Sequence, residues 1–345
     1  MSGALPGRIS SVEELEELLS RPTERVCEAL SALRGDLLLL GVGGKMGLSL
    51  ARMARRAWQQ VGHPGRVIGV SRFGAGGEEA FQAHGIETIR CDLLDPRQRQ
   101  QLPHAANVVV MTGRKFGSTG DEPLTWAMNA LLAADVCRQF AGSRIVAFST
   151  GNVYGMVPVA SGGSREEDRP QPVGEYAQSC LGRERFYQYC SQALGIPSAL
   201  IRLNYACDLR YGVLVDLATR VWNRQPVDLA MGFFNTIWQG DANAQTLSAF
   251  SHLTTPPWLV NVTGETILSV REVCLDLSRR WGIPVEFTGT EADTALLSNS
   301  ARAKSLWGPT RVSSGQLLNW VADWIEHGHP SLGKPTHFES RAGQF

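Results

Sequence analysis

The feature that most constrains this chain is a glycine-rich turn, Gly41-Val-Gly-Gly-Lys-Met-Gly47, set directly behind the apolar run Leu37–Leu40 and ahead of an amphipathic stretch. A strand feeding a helix through G-x-x-G-x-x-G leaves few options. Glycines permit a tight reversal, let a ligand approach the backbone, and allow the helix to pack closely on the strand; the helix N-terminus then favours an anion. The turn predicts a dinucleotide-binding front end, with Gly41, Gly44, Lys45, Met46 and Gly47 around a pyrophosphate.

The flanking sequence extends this pattern. A helix is expected over about 45–60, with strands at 66–70, 88–91, 107–112 and 144–149. Helices are expected near 78–84 and over 125–140, and later strands at 198–203 and 258–262. Short, continuously apolar strands alternating with helices imply a parallel sheet covered on both faces, an α/β doubly wound Rossmann domain. Ahead of it, residues 11–34 read as helices divided at Pro22, with Ser11 before Glu13 and Glu14 as a helix start. The expected organisation is an N-terminal helical extension over 1–34 and a Rossmann domain over 35–204 plus about 236–263. A smaller C-terminal substrate domain takes 205–235 plus 264–345.

Composition excludes several classes. Thirty-three basic residues balance 33 acidic ones, so no net field favours nucleic acid or an anionic membrane surface. The seven scattered cysteines form no C-x-x-C pair, which argues against zinc or a disulfide framework and for a reducing, cytoplasmic setting. No apolar run is long enough to span a bilayer. No metal site is expected: His327-Gly-His329 lacks companion ligands, and Glu166-Glu-Asp168 reads as a solvated charge run. The tail 334–345 is expected to be a surface segment or arm.

The second strand ends Gly69-Val-Ser-Arg72 without the carboxylate that usually meets an adenosine 2′-hydroxyl. Ser71 and Arg72 suit a 2′-phosphate, so the expected cofactor is NAD(P), with NADP favoured over NAD. Asp92, after the third strand, is placed either at the adenine edge or as a helix cap.

Phe148-Ser-Thr-Gly-Asn-Val-Tyr-Gly155 resembles the end of the fifth strand in the extended short-chain dehydrogenase/reductases, the family of nucleotide-sugar epimerases, dehydratases and reductases. Glu175-Tyr-Ala-Gln-Ser-Cys180 resembles the family's Y-x-x-x-K helix, Arg202-Leu-Asn-Tyr205 its segment after the sixth strand, and Asn261-Val-Thr-Gly264 its late strand. The resemblance runs from about residue 36 to about 325. It implies hydride transfer at a sugar-like or polyol hydroxyl or ketone, with Tyr176 as proton carrier and Thr150, or Ser149, holding the substrate oxygen. It places Thr112, Gly113 and Cys180 along the cofactor and Asn152, Asn204 and Arg210 near the substrate, and it implies a homodimer through the helices over 125–140 and 176–193.

The chain departs from the family at two places. Cys180 stands where the family has a lysine that binds the nicotinamide ribose and stabilises tyrosinate, and a thiol supplies no positive charge. Lys115, in a G-x-K turn similar to that of UDP-glucose 4-epimerases, is the favoured replacement, with Arg114 and Arg183 nearby. The other reading is a catalytically silent NAD(P)-binding regulatory or scaffold protein. Secondly, Phe234 stands near the position of an arginine that holds the diphosphate of sugar nucleotides, leaving Arg210 or Arg302 for a phosphate. Asp241 is expected to cap the helix that follows.

Overall fold

The computed structural model describes residues 5–74 and 77–345. Seven parallel strands form the central sheet: β1 (Leu37–Leu40), β2 (Val67–Ser71), β3 (Glu87–Arg90), β4 (Asn107–Val110), β5 (Arg144–Thr150), β6 (Ser198–Leu203) and β7 (Trp258–Val262), in the order β7-β6-β5-β4-β1-β2-β3. β1 is in register with β2 on one side, Leu37 opposite Val67, and with β4 on the other, Leu37 opposite Asn107. The strand order reverses there, so the connections after β1 and β4 run to opposite faces of the sheet from its carboxyl end. The crevice at that end is where open α/β sheets bind ligands.

The Leu37–Leu40 run explains itself once both faces are covered. Successive side chains alternate faces, so Leu37 and Leu39 join Leu50, Met53 and Trp58 of helix α3 (Gly47–Gln60). Leu38 and Leu40 join Leu132, Val136, Phe140 and Tyr187 on the opposite side. A third apolar cluster lies outside the sheet, among Val213–Trp222, Val270–Trp281 and Ser314–Glu326.

The N-terminal residues form α1 (Val12–Leu19) and α2 (Glu24–Ser31), with the Ser11 and Thr23 hydroxyls accepting from the amides of Glu14 and Val26. Pro22 falls between them. Leu15, Leu18 and Leu19 enter the third cluster, whereas Val26 and Leu30 enter the α3 face, so the extension joins both regions.

Two local expectations need correction. The helix expected over 125–140 starts at Glu122 and contains a π-turn, Ala127–Leu131, before continuing over Leu132–Gln139. The turn brings Asn129 inward, where it has a use described below. The helix after Trp238 starts at Gln239, and Asp241 does not cap it: its carboxylate accepts from Arg311 Nε at 2.8 Å and from the Val312 amide at 3.0 Å. Among the described residues no helix is long and apolar enough to cross a membrane, and no cluster of His, Cys, Asp and Glu is arranged to hold a metal.

Candidate active site

The glycine turn is shaped by close approach. Gly41 adopts φ +88°, and a Cβ there would lie 2.9 Å from the Thr112 amide nitrogen; at Gly47 it would lie 1.9 Å from the Val42 carbonyl oxygen. Both positions therefore need glycine, the first to let the β1 and β4 loops touch and the second to seat α3 on the strand. Gly44 differs, because its Cβ would meet nothing within 4 Å. That open backbone face at the start of α3 fits a pyrophosphate. Ser71 ends β2 directly over Gly43, whose Cβ would lie 2.4 Å from its hydroxyl oxygen, and Arg72 is exposed beside it. Asp92 closes a local turn instead of a helix, its carboxylate accepting from the Leu94 amide at 3.0 Å; Asp95 caps the next helix.

Across the crevice, the helix Gly174–Leu194 carries Tyr176, Cys180, Arg183 and Glu184 along one face. Tyr176 faces Thr150 and Cys180, and its phenol is held above the ordinary tyrosine range by burial first and the Cys180 sulfur second; Arg183 and Thr150 act in the opposite sense. Thr150 ends β5, and its oxygen accepts from the Asn152 amide at 3.1 Å and side-chain nitrogen at 3.0 Å. That leaves the Thr150 hydroxyl proton free to be donated across the crevice. The Cys180 thiol is fully buried and also raised, chiefly by burial.

Ser149 does not belong with this pair. The strand alternation turns it away, and it donates to Glu184 Oε1 at 2.6 Å. Glu184 in turn holds Arg202 through bonds of 2.9 and 2.7 Å, and Arg202 also donates to the Tyr154 hydroxyl at 2.7 Å and the Glu166 carbonyl at 3.1 Å. This buried network ties β5, β6 and the Tyr176 helix together behind the site. The only sequence signal for it is an arginine inside an apolar strand.

The cation nearest in effect to the phenol is Arg183, not Lys115. Arg183 donates to the Asn129 carbonyl at 3.0 Å, to Asn129 Oδ1 at 2.6 Å and to the Phe148 carbonyl at 2.9 Å, so its charge is buried and fixed. Asn129, set inward by the π-turn, also accepts from the Arg114 amide and thereby fixes the loop bearing Thr112, Gly113 and Lys115. Lys115 instead donates to the Thr336 carbonyl at 3.2 Å, and its ammonium lies 4.1 Å from the centre of the Phe345 ring. The Phe345 ring in turn meets Tyr176 edge-on at 5.7 Å between centroids. Burial and the neighbouring Lys45 bring Lys115 down to about 8, while burial and Lys334 bring Lys45 to about 8.

The C-terminal segment is thus no surface arm. It crosses the cleft, with Thr336 and Phe338 buried, and the Phe345 main-chain oxygen accepts from Ser118 Oγ and the Thr119 amide, both at 3.3 Å. Two expected substrate contacts are also committed elsewhere. Arg210 is paired with Glu16 at 2.7 Å and Asp208 at 2.8 Å. Asn204 is buried and donates to Asn235 Oδ1 at 2.8 Å, although its own carbonyl oxygen has no partner. Asn152 does line the small cavity beside Tyr154 and Phe345.

A doubly wound parallel sheet, a glycine turn at its switch point, and a Thr–Tyr pair across the crevice define a Rossmann-type nucleotide-binding protein. Residues 37–206 match the NAD dependent epimerase/dehydratase family. That segment is similar to this family, in line with the resemblance of the sequence to the extended short-chain dehydrogenase/reductases. No curated protein matches it in sequence. Among solved structures it is similar to the UDP-glucuronic acid 4-epimerase of Bacillus cereus in complex with NAD (17% identity, 85% of this chain, 99% of that one, TM-score 0.67). It is also similar to the UDP-glucose 4-epimerase of Thermotoga maritima with UDP-glucose (14%, 85% and 99%, TM-score 0.68) and to a putative epimerase from Burkholderia cenocepacia (20%, 85% and 99%, TM-score 0.66). At these identities the likeness is one of fold.

Proposed function

We propose that the chain is an NAD(P)-dependent enzyme that reduces, oxidises or epimerises a sugar-like or polyol substrate at a hydroxyl or ketone. The observation that carries this reading is the half-buried Tyr176 phenol facing the Thr150 hydroxyl, across the crevice from a glycine turn open at Gly44. When bound, the nicotinamide supplies or accepts hydride. Thr150 donates to the substrate oxygen. Tyr176, protonated at neutral pH because burial and Cys180 raise it, gives its proton to a developing alkoxide. Arg183 supplies the fixed positive field that assists this phenol. Residues 35–204 with 236–263 carry the dinucleotide in this reading, and 205–235 with 264–345 shape the substrate side.

Ser71 and Arg72, with no carboxylate at the end of β2, support NADP as the preferred dinucleotide. Exposed apolar side chains on two adjacent helices support a homodimer: Leu131 is 53% exposed and Tyr189 is 70% exposed, with Phe186 and Trp126 beside them. A silent dinucleotide-binding role is the second reading, favoured by Cys180 and by the Phe345 ring against Tyr176. Calorimetry with NAD and NADP, followed by turnover on a panel of polyols and sugars, separates the two. Tyr176→Phe is expected to leave dinucleotide affinity unchanged and lower kcat by about 10²-fold or more. Tight dinucleotide binding with no turnover on any hydroxy compound or ketone would leave the silent reading standing.

A further inference from the structure

The segment from Ser331 to Phe345 is fixed along most of its length. The Leu332 amide donates to the Arg210 carbonyl at 3.0 Å, and Thr336 donates through both its amide (2.8 Å) and hydroxyl (2.6 Å) to Asp216. Phe338 packs on buried Phe234, and Arg341 donates to the Thr294 carbonyl and hydroxyl at 2.8 and 2.7 Å. These anchors make the segment a wall of the cleft. Beyond them, Gly343 packs against the Val173–Gly174 backbone and the Gln344 carbonyl accepts from Ser340 Oγ at 3.1 Å, while Phe345 rests on lighter contacts: two bonds of 3.3 Å from Ser118 and Thr119, and its ring between Lys115 and Tyr176. The cavity on the other side of that ring holds only about 20 Å³ and does not reach Tyr176, and the Phe345 ring itself fills the space at the edge of the Tyr176 ring, so a ligand meeting Tyr176 from this side takes the place of Phe345.

The surroundings of that place specify its occupant. Three of the chain's four lysines gather here: Lys115 on the Phe345 ring, Lys45 over the Tyr211 ring at 3.3 Å, and Lys334 close enough to act on Lys45. Among the described residues neither Lys45 nor Lys115 is ion-paired, whereas Lys304 lies 2.8 Å from Glu265. The nearby carboxylates are already engaged, Asp216 by Thr336, Asp208 by Arg210 and Glu339 by Arg220. Positive charge packed this way, with Asp208, Asp216 and Glu339 near but none ion-paired to Lys45 or Lys115 among the described residues, is costly until an anion arrives. Phe345 gives the scale of that ligand: a six-membered ring with a cation 4.1 Å from its centre and the Tyr176 phenol at its edge.

We propose that this site takes a small anionic polyol of about six carbons, a free sugar acid or sugar phosphate, in the place of Phe345. Its anionic group lies at Lys115 and Lys45, its reacting hydroxyl or ketone lies at Tyr176 and Thr150, and the Thr336–Arg341 wall excludes a nucleotide-linked sugar. This rests on the proposed function for the role of Tyr176, while the ligand class rests on the lysines and the wall.

Saturation-transfer NMR and calorimetry on the full chain test it, with and without saturating dinucleotide. The probes are D-glucuronate, D-gluconate, D-glucose 6-phosphate, UDP and UDP-glucuronate. At least one of the three small anions is expected to bind more tightly than UDP or UDP-glucuronate, and the acid and phosphate arms tell which anion is preferred. Lys115→Met is expected to weaken that binding at least tenfold. Phe345→Ala is expected to tighten it about tenfold, because the competing ring is gone. Phe338→Ala, which loosens the wall, is expected to raise UDP affinity. The proposal is overturned if UDP or UDP-glucuronate binds the intact chain best, if none of the small anions binds, or if Lys115→Met leaves their affinity unchanged. A chain that binds small anions but no dinucleotide removes the proposed function and leaves the ligand class in place.

Discussion

Glu184→Gln is the sharpest test of how the site is held. The substitution keeps the shape of the side chain and removes its charge, leaving Arg202 as a cation that is 2% exposed beside a residue that is fully buried. Both Arg202–Glu184 bonds are affected, because an amide presents one acceptor and turns a donor toward the guanidinium, and the Ser149 hydroxyl loses its carboxylate acceptor. The Tyr154 hydroxyl and the Glu166 carbonyl stay on Arg202, so the cation remains partly satisfied. Breaking one side of a buried pair costs about 3–5 kcal/mol, a large share of the roughly 5–15 kcal/mol that holds most domains folded. In reversible urea unfolding followed by tryptophan fluorescence, a slope of about 3 kcal/mol per molar converts this to a midpoint lowered by roughly 1–1.7 M. The double variant Glu184→Leu/Arg202→Met removes both charges and is expected to be more stable than Glu184→Gln. A Glu184→Gln midpoint within about 0.3 M of the parent, or a double variant less stable than the single one, refutes the electrostatic reasoning.

Three other predictions concern ligands and assembly. Arg72→Glu is expected to lower NADP affinity at least tenfold while sparing NAD, measured by calorimetry; an equal loss for both would remove Arg72 from the 2′-phosphate. Anion affinity is expected to fall as pH rises past about 8, because Lys45 and Lys115, held near 8 and faced by Lys334, Asp208, Asp216 and Glu339, lose the charge that binds the ligand. A bound anion favours the ammonium form, so the midpoint in the complex lies above that of the free protein, and a flat titration from pH 7 to about 10 counts against the lysine site. Tyr189→Glu with Phe186→Glu is expected to convert a dimer to a monomer in light scattering; a monomeric parent would overturn the dimer.

The sheet was legible because its signals are local. The four leucines of β1, the β6 span Ser198–Leu203 and the β7 span Trp258–Val262 each carry their own apolar pattern, and the structure reproduces those last two spans residue for residue. The face of the Tyr176 helix was legible for the same reason, since Cys180 and Arg183 follow from helical spacing. What escaped was set by contacts between distant parts of the chain. Lys115 meets Thr336 across 221 positions, and Ser118 meets Phe345 across 227. Arg210 is claimed by Glu16 of the N-terminal helix, and a polar tail with glycine and proline has no periodicity to announce that it fills a cleft.

This division bears on what the cysteine means. In the resemblance, one lysine four residues past the tyrosine both contacts a ligand and supplies charge to the phenol. Here the next cation on that helix is Arg183, three residues further and about 4.5 Å deeper along the axis. It is bound on three sides by Asn129 and Phe148, so it gives a field and cannot touch a ligand. Contact with a ligand then falls to a cation on another element, and Lys115, whose ammonium lies 4.1 Å from the centre of the Phe345 ring, is placed for it. On the proposed reading, the two duties of a single lysine are split between a buried arginine that does not move and a loop lysine that Phe345 covers until a ligand takes its place.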